Sequence, residues 1–284
     1  MPVVGIDFWY ITAGSIKSRD EMDYELTEAG EERLAEGRRV GSIVKCLMVR
    51  CFKTKCMFGH VVPMRDGQEN AYVVDLITSD VAWLGHVKLI LKSDGEPAIV
   101  ALARRALENI KCNLEDMEQA NQEQSHPRDS KSNGGTEVGI KIVRGMLRTH
   151  TMCLEKRLGH RIPPQHPLTS WLLEHVAHVL NTMSVGQDGR APWQRVRGRP
   201  FNMKVYGFGE AILWKPPMKG PQHDTLGNMG PRLFHGIFLG YHRMSNSYRI
   251  VDDKGDMHKT RAMQRRPVDD RWSLEKLKAI NVTA

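Results

Sequence analysis

Three carboxylates in this sequence occupy positions that are suited to metal-dependent chemistry. Asp7 lies in the middle of the apolar stretch VVGIDFWYI, and Asp94 ends the apolar stretch HVKLILKSD. Glu137 follows after 42 intervening residues, in the stretch TEVGIKIVRGMLR. Carboxylate oxygens suit Mg²⁺ and Mn²⁺, and two such ions about 4 Å apart promote in-line displacement at phosphorus. Two aspartates and a glutamate are enough to hold both ions, so the trio indicates phosphodiester chemistry.

Asp94 also has an ordinary interpretation. The sequence LKSDGEPAI leaves an apolar run for a turn, where an aspartate accepts hydrogen bonds from the backbone of Gly95 and Glu96. It could equally cap a helix that begins near Pro97, because proline suits a first helical position. Taken alone, Asp94 is best interpreted as a turn or cap residue. Metal binding becomes the better interpretation only when Asp7 and Glu137 are considered with it.

Basic residues follow Glu137 at helical spacing. Lys141 and Arg144 lie at i+4 and i+7, on the same helix face as the glutamate, and Arg148 continues that face. Cations there could hold phosphates beside the metal ions. The alternative is ordinary ion pairing on a solvated helix.

The hydrophobic pattern predicts the elements that position these residues. VVGIDFWYI, GSIVKCLMVRCF and CMFGHVVP are typical of a three-stranded meander, and HVKLILKSD of a fourth strand. Helices are predicted over residues 68–84 and in PAIVALARRALENIK. The polar residues 113–135 predict a mobile loop, after which a helix begins with Glu137 in its first turn and HPLTSWLLEHVAHVLNTM forms another.

These elements predict a catalytic core over residues 1–185, with a solvated acidic insertion near 18–39. The Gly/Arg/Pro-rich residues 186–204 predict a basic linker. Short strand-like runs between turn signals then indicate a small β-barrel-like module over 205–272, and a tail follows over 273–284. The predicted fold class is α/β with a small β module.

Charge is distributed unevenly along the chain. Residues 1–140 carry 17 Lys/Arg and 22 Asp/Glu, a balance of −5, whereas residues 141–284 carry 24 and 11, a balance of +13. Basic residues spread over many segments favour a nucleic-acid backbone as partner, although a generally basic surface is the alternative. The apolar runs are too short to span a membrane.

The cysteines and two histidines suggest no metal site. Cys46, Cys51 and Cys56 lack metal-ligand spacing and the five cysteines form no CxxC pair, so we expect reduced thiols and no structural zinc. His175 and His178 are three apart on a predicted helix, and without neighbouring ligands they are interpreted as structural.

Three stretches together resemble a known family. VVGIDFWYI, VKLILKSDGEPAI and SKSNGGTEVGIKIVRGMLR resemble the acidic motifs of retrotransposon integrases, whose Asp, Asp and Glu form the active site on a ribonuclease H-like fold. GIFLGYHRMSNSYRIVD is similar to a segment that follows the catalytic core in copia-type polyproteins. The resemblance implies Asp7, Asp94 and Glu137 as catalytic metal ligands, and Lys141 and Arg144 as donor-DNA contacts.

The resemblance further implies an activity and partners. These are trimming of DNA 3′ ends and strand transfer with two Mg²⁺ or Mn²⁺ ions, on element ends and target DNA. A homo-oligomer acting in the nucleus is expected. The chain resembles part of a longer polyprotein, without the His/Cys zinc-binding domain that usually precedes such a core. Two alternatives are an inactive DNA-binding remnant and a ribonuclease H-type nuclease, which normally uses a fourth carboxylate.

Further cations are candidates for DNA contacts. Arg195, Arg197 and Arg199 in RVRGR suit DNA phosphates, and the alternative is a solvated linker. No segment is recognised as a reader of specific bases.

Overall fold

The structure, a computed structural model, describes residues 1–12, 16–18, 43–63, 69–124, 130–216 and 230–284. Almost all of the predicted acidic insertion near 18–39 lies outside these residues. The chain forms two compact units, the second comprising residues 149–162, 166–175 and 202–284 and the first the remainder.

The predicted meander forms the centre of the first unit. Strands β1 (Val3–Thr12), β3 (Ile43–Cys51) and β4 (Met57–Val61) pair antiparallel in the order β1-β3-β4. The short β2 (Ile16–Ser18) pairs with the end of β1. β-Branched and aromatic residues fill β1, which is buried along most of its length.

Two parallel strands complete this sheet on the other side of β1. β5 (Lys88–Ser93) runs parallel to β1, and β6 (Gln119–Gln124) runs parallel to β5. The strand order is β4-β3-β1-β5-β6. A meander followed by parallel strands, with helical crossovers, is the topology of a ribonuclease H-like fold, so the predicted fold class is confirmed.

The prediction of a loop over residues 113–135 was wrong for β6. Its sequence QANQEQ has one buried residue, Ala120, and therefore shows no hydrophobic pattern. As the edge strand it is held by backbone pairing with β5 and by an ion pair of 2.7 Å between Lys92 and Glu123. Backbone pairing is independent of side-chain polarity, which is why the pattern missed it.

Two helices cover one face of the sheet. α1 (Glu69–Leu84) and α2 (Pro97–Asn113) pack on each other, and α2 also contacts β1, β5 and β6. Its buried residues recur at helical spacing: Ile99, Leu102, Ala103, Ala106, Leu107 and Ile110. They meet Val4, Ile6 and Phe8 of β1, so the alternate residues Gly5 and Asp7 belong to the opposite face.

Three more helices follow β6: α3 (Ser130–Leu158), α4 (Leu168–Met183) and α5 (Pro192–Arg197). In α4 the Asn181 side chain accepts from the Met57 amide at 2.8 Å and donates to its carbonyl at 2.7 Å, which satisfies the outer edge of β4. None of the described helices is long and apolar enough to cross a membrane.

The second unit contains the predicted β module. Its five antiparallel strands have the order β10-β9-β8-β7-β11. They are β7 (Ala211–Trp214), β8 (Phe234–His242), β9 (Ser247–Asp252), β10 (Met257–Thr260) and β11 (Met263–Arg265). A short helix, α6 (Leu274–Lys278), lies in the predicted tail, where Leu277 is buried.

This sheet curls towards a barrel. The outermost strands β10 and β11 would lie roughly 19 Å apart in a flat five-stranded sheet. Thr260 ends one and Met263 begins the other, and three residues of chain span at most about 11 Å. The Thr260 hydroxyl also donates to the carbonyl of Lys215, the residue after β7, at 2.8 Å. The two edges therefore approach each other.

All five cysteines are free thiols. Cys46, Cys51 and Cys56 are buried, whereas Cys112 and Cys153 are exposed. Burial raises the pKa of the Cys56 thiol to about 12, which keeps it protonated and unreactive at neutral pH.

Candidate functional site

Asp7 is a carboxylate built into a buried strand. It lies on the sheet face opposite the α1/α2 core and is 7% exposed. Its cross-strand partner is Met48 of β3. One carboxylate oxygen, Oδ1, accepts a hydrogen bond of 2.8 Å from the amide of Phe8. A carboxylate within a buried strand offers oxygen atoms of the kind that Mg²⁺ and Mn²⁺ prefer, which makes Asp7 a candidate ligand.

Asp94 follows directly after the strand that runs parallel to β1. Gly5 of β1 is the partner of Lys92 in β5, and β5 ends at Ser93. Continuing this register by two residues would bring Asp94 to the level of Asp7. By strand alternation, that level belongs to the face opposite the α1/α2 core.

The turn interpretation of Asp94 holds together with this placement. Its Oδ1 accepts a hydrogen bond of 3.2 Å from the amide of Glu96. Asp94 is not the helix cap, because Glu96 occupies that position in α2 and makes no side-chain cap bond. The turn therefore orients the Asp94 carboxylate at the end of β5.

Glu137 lies about two turns inside α3, because the helix begins at Ser130. The prediction of a first-turn position was therefore wrong, since the polar residues before Thr136 continue the helix. A Cβ added to Gly5 would overlap the Thr136 hydroxyl, so glycine is required for this close approach. The helical turn that carries Glu137 thus packs on the face of β1 that carries Asp7.

The three carboxylates offer an oxygen donor set that fits Mg²⁺ or Mn²⁺. Asp94 directly follows β5, which runs parallel to the strand that carries Asp7, and the Glu137 turn packs on that same strand β1. A site ready for metal has its ligand atoms within 4.8 Å of one another, and among the described residues this trio does not meet that distance. The fold supplies the placement, and binding requires the side chains to turn towards a shared ion.

A different group does meet that distance. In the β9–β10 hairpin, ligand atoms of Asp252, Asp256 and His258 lie within 4.8 Å of one another. Burial opposes ionisation of Asp252, but hydrogen bonds from His258 and from the amides of Asp256 and Lys254 outweigh it and lower the pKa of that carboxyl. These bonds close the hairpin, so the group has a structural explanation.

The predicted cations of α3 differ in exposure. Lys141 and Arg148 are exposed, whereas Arg144 is 6% exposed. Lys141 and Arg148 are thus the members of this group that present charge to solvent.

The arginines of residues 186–204 also separate into two kinds. Arg195 binds Asp188 through Nε at 3.0 Å and the Thr54 carbonyl through Nη1 at 3.1 Å, so it ties α5 to the β3–β4 turn. Arg197 and Arg199 are exposed, and the Arg197 guanidinium lies 4.6 Å from the ring of Trp83. In place of a bare linker, this segment contains α5.

The histidines lie among aromatic rings. His175 is 3% exposed and stacks on Tyr241 with ring centroids 6.1 Å apart. His178 meets Trp193 and Phe201 edge-on at 5.9 and 5.0 Å. These contacts support the structural interpretation of both residues.

A basic cavity in the second unit was missed by sequence reasoning. It measures about 480 Å³, and its lining includes Lys204, Lys215 and Arg261 together with Tyr206 and Tyr248. The lining contains no carboxylate among the residues that the structure describes. Its residues come from distant stretches, so no local pattern could have found it.

Other cations of the same unit are neutralised by carboxylates. Arg265 pairs with Glu210, Arg266 with Asp270, Arg249 with Glu174 and Lys276 with Asp253. The three cavity cations form no such pair within the part of the chain that the structure describes. The cavity therefore concentrates uncompensated positive charge.

Comparisons with known proteins give structural similarities alone. No family model and no curated protein matches the sequence. A chain of the simian T-cell lymphotropic virus intasome in complex with PP2A regulatory subunit B56 gamma aligns at 11% identity and TM-score 0.45, over 93% of this chain and 78% of that one.

Two isolated catalytic cores align over less of this chain. That of BIV integrase has 12% identity and TM-score 0.41, over 68% of this chain and 92% of its own. The HTLV-2 integrase core in complex with magnesium has 11% identity and TM-score 0.42, over 69% and 94%. These scores are low, so the fold assignment rests on the strand order.

Proposed function

We propose that this chain is an integrase-type polynucleotidyl transferase of a copia-type retroelement. It would trim DNA 3′ ends and join them to target DNA, with Mg²⁺ or Mn²⁺ as cofactor. The observation that supports the proposal is the parallel pairing of β1 with β5, because Asp7 lies in β1, Asp94 follows β5, and the Glu137 turn packs on β1. A ribonuclease H-like sheet with two aspartates and a glutamate in this order supports phosphodiester chemistry.

The three candidate ligands are held in different ways. Asp7 is held by its strand and its contact with the Phe8 amide, and Asp94 by its contact with the Glu96 amide, so both are oriented before substrate binds. Glu137 would complete the site from α3. Divalent ions bound by the three would supply Lewis-acid stabilisation of the attacking and leaving oxygens.

DNA would bind through cations that the fold leaves exposed. The candidates in the first unit are Lys141 and Arg148 on α3, Arg197 at the end of α5, and Arg199 shortly after it. The basic cavity would contact phosphates in the second. As the resemblance implies, we also propose that several copies assemble on the DNA ends and act in the nucleus.

Strand transfer of an oligonucleotide into target DNA tests the proposal. Wild type, Glu137→Gln and the matched control Glu108→Gln, an exposed glutamate of α2, are compared in Mg²⁺ and in Mn²⁺. We expect product from wild type and control, and roughly 100-fold less or none from Glu137→Gln, because metal ligation supplies several kcal/mol of transition-state stabilisation.

DNA binding measured in parallel separates the alternatives. Product from both wild type and Glu137→Gln contradicts the proposed site. DNA binding without product from any variant identifies an inactive DNA-binding remnant. Cleavage of RNA in a hybrid duplex without strand transfer identifies a ribonuclease H-type nuclease.

A further inference from the structure

Arg50 occupies an unusual position beside the candidate site. It lies on β3 as the cross-strand partner of Gly5, and Asp7 follows two residues later on the same face. Cross-strand partners share a face, so Arg50 belongs to the side of the sheet on which α3 packs. The side chain is half-buried.

This arginine has no carboxylate partner among the described residues. Burial lowers the pKa of its guanidinium, and its Nε atom is buried without a hydrogen-bond partner in the described part of the chain. Desolvation of a cation without an anion opposes the folded state. The explanation for the residue therefore has to come from the contacts that it makes.

Arg50 instead contacts α3 on both sides of Glu137. Its Nη1 donates a hydrogen bond to the carbonyl oxygen of Gly135. A Cβ added to Gly139 would lie 2.8 Å from Cδ of Arg50, so the helix backbone rests on the arginine's aliphatic part. Gly135 and Gly139 are one helical turn apart, and Glu137 is midway between them.

We propose that Arg50 is a positioning residue for the α3 turn that carries Glu137. It fixes the position of this turn along the helix axis and its rotation about that axis. The inference rests on the proposed function, because the purpose of this placement is to bring Glu137 to Asp7 and Asp94. The hydrogen bond to Gly135 holds the turn along the helix axis, and the contact at Gly139 limits its rotation.

The test compares Arg50→Met, Arg50→Lys and the control Arg104→Met, an exposed arginine of α2. Methionine keeps an apolar side chain under Gly139 but removes the donor to Gly135. Lysine keeps charge and one donor without the planar fork. Amide hydrogen exchange of residues 134–141, strand-transfer kinetics and thermal unfolding are measured for each.

We expect Arg50→Met to remain folded, with faster exchange confined to residues 134–141. Its kcat should fall roughly 10- to 100-fold, since a displacement of about 1 Å has this effect, with a smaller change in KM. Arg50→Lys should recover part of the loss, and Arg104→Met should match wild type. If Arg50→Met does not fold, Arg50→Lys carries the same comparison.

Unchanged exchange in residues 134–141, or activity within about twofold of wild type, overturns the inference. A wild-type chain without strand transfer overturns the proposed function and the catalytic part of this inference. The exchange measurement still decides in that case whether Arg50 holds the α3 turn. The two failures are therefore distinguishable.

Discussion

At the scale of single residues, the candidate site combines groups that would weaken a purely structural core. Asp7 is a 7% exposed carboxylate, and Asp94 directly follows the neighbouring strand β5. Two carboxylates on adjacent strands repel each other when no cation lies between them. This combination is expected where function outweighs stability.

The first prediction concerns metal binding at Asp7. Adding Mn²⁺ should raise the unfolding temperature of wild type and not that of Asp7→Asn, because an ion that binds the folded state stabilises it and the variant lacks one of the proposed ligands. Thermal unfolding with and without Mn²⁺ measures the two shifts. An equal Mn²⁺ shift in wild type and variant contradicts the account.

The second prediction is a pH dependence at Asp188. The Arg195 guanidinium, opposed by a smaller effect of desolvation, lowers the pKa of this carboxyl to about 2. Because the folded pKa lies below the unfolded value of about 3.9, the ion pair stabilises the fold above pH 4. That stability is lost as pH falls towards 2.

Urea unfolding of wild type and Asp188→Asn over pH 2–7 tests this. The difference in stability should be constant above about pH 5 and shrink as the solution becomes more acidic. A difference that is independent of pH contradicts the role given to the Arg195 pair.

At the scale of elements, apolar periodicity predicted β1, β3, β4, β5, α1, α2 and α4 close to their observed bounds. Apolar periodicity failed for elements that bury few side chains, because such elements have no regular pattern of apolar residues. β6 is polar because one residue, Ala120, is buried, and α3 starts at Ser130 in a polar stretch. Asp7, Asp94 and Glu137 are candidates that the sequence alone offers, and their role stays a prediction. Arg50 and the basic cavity could not be identified from sequence, because their contacts join distant segments.

The third prediction compares two glycines of α3. Gly145 has open space where a Cβ would go, whereas at Gly139 that atom would meet Arg50. Gly145→Ala should stabilise the protein by up to about 1 kcal/mol, because alanine favours the helix. Gly139→Ala should lose that gain and reduce strand transfer, because Arg50 must move.

Chemical denaturation and strand-transfer rates distinguish the two variants. Equal stability and equal activity of Gly139→Ala and Gly145→Ala would show that α3 does not rest closely on β3.

At the scale of the whole molecule, positive charge is concentrated in residues 141–284, with a balance of +13. Several cations of the second unit form ion pairs with carboxylates that this balance already counts, such as those of Arg265 and Arg266. The cavity cations form no ion pair with the residues that the structure describes. This difference supports the proposal that a polyanionic partner contacts the cavity.

The fourth prediction tests this surface. Replacing Lys204, Lys215 and Arg261 by Gln should weaken duplex DNA binding and reduce the slope of log K against log salt by about 2–3, roughly 0.9 per phosphate contact. Replacing the paired cations Arg265, Arg266 and Lys276 is the matched control and should change the slope less. Equal slopes for the two triple variants, measured by fluorescence anisotropy, contradict a DNA contact at the cavity.

The central claim is that Asp7, Asp94 and Glu137 hold divalent metal for strand transfer. An Asp94→Cys variant tests it most directly, because a thiolate is a poor ligand for Mg²⁺ and a better one for softer ions. The account predicts no strand transfer by this variant in Mg²⁺ and recovered product in Mn²⁺ or Cd²⁺, while wild type is active in Mg²⁺. Wild-type levels of product from Asp94→Cys in Mg²⁺ would contradict it.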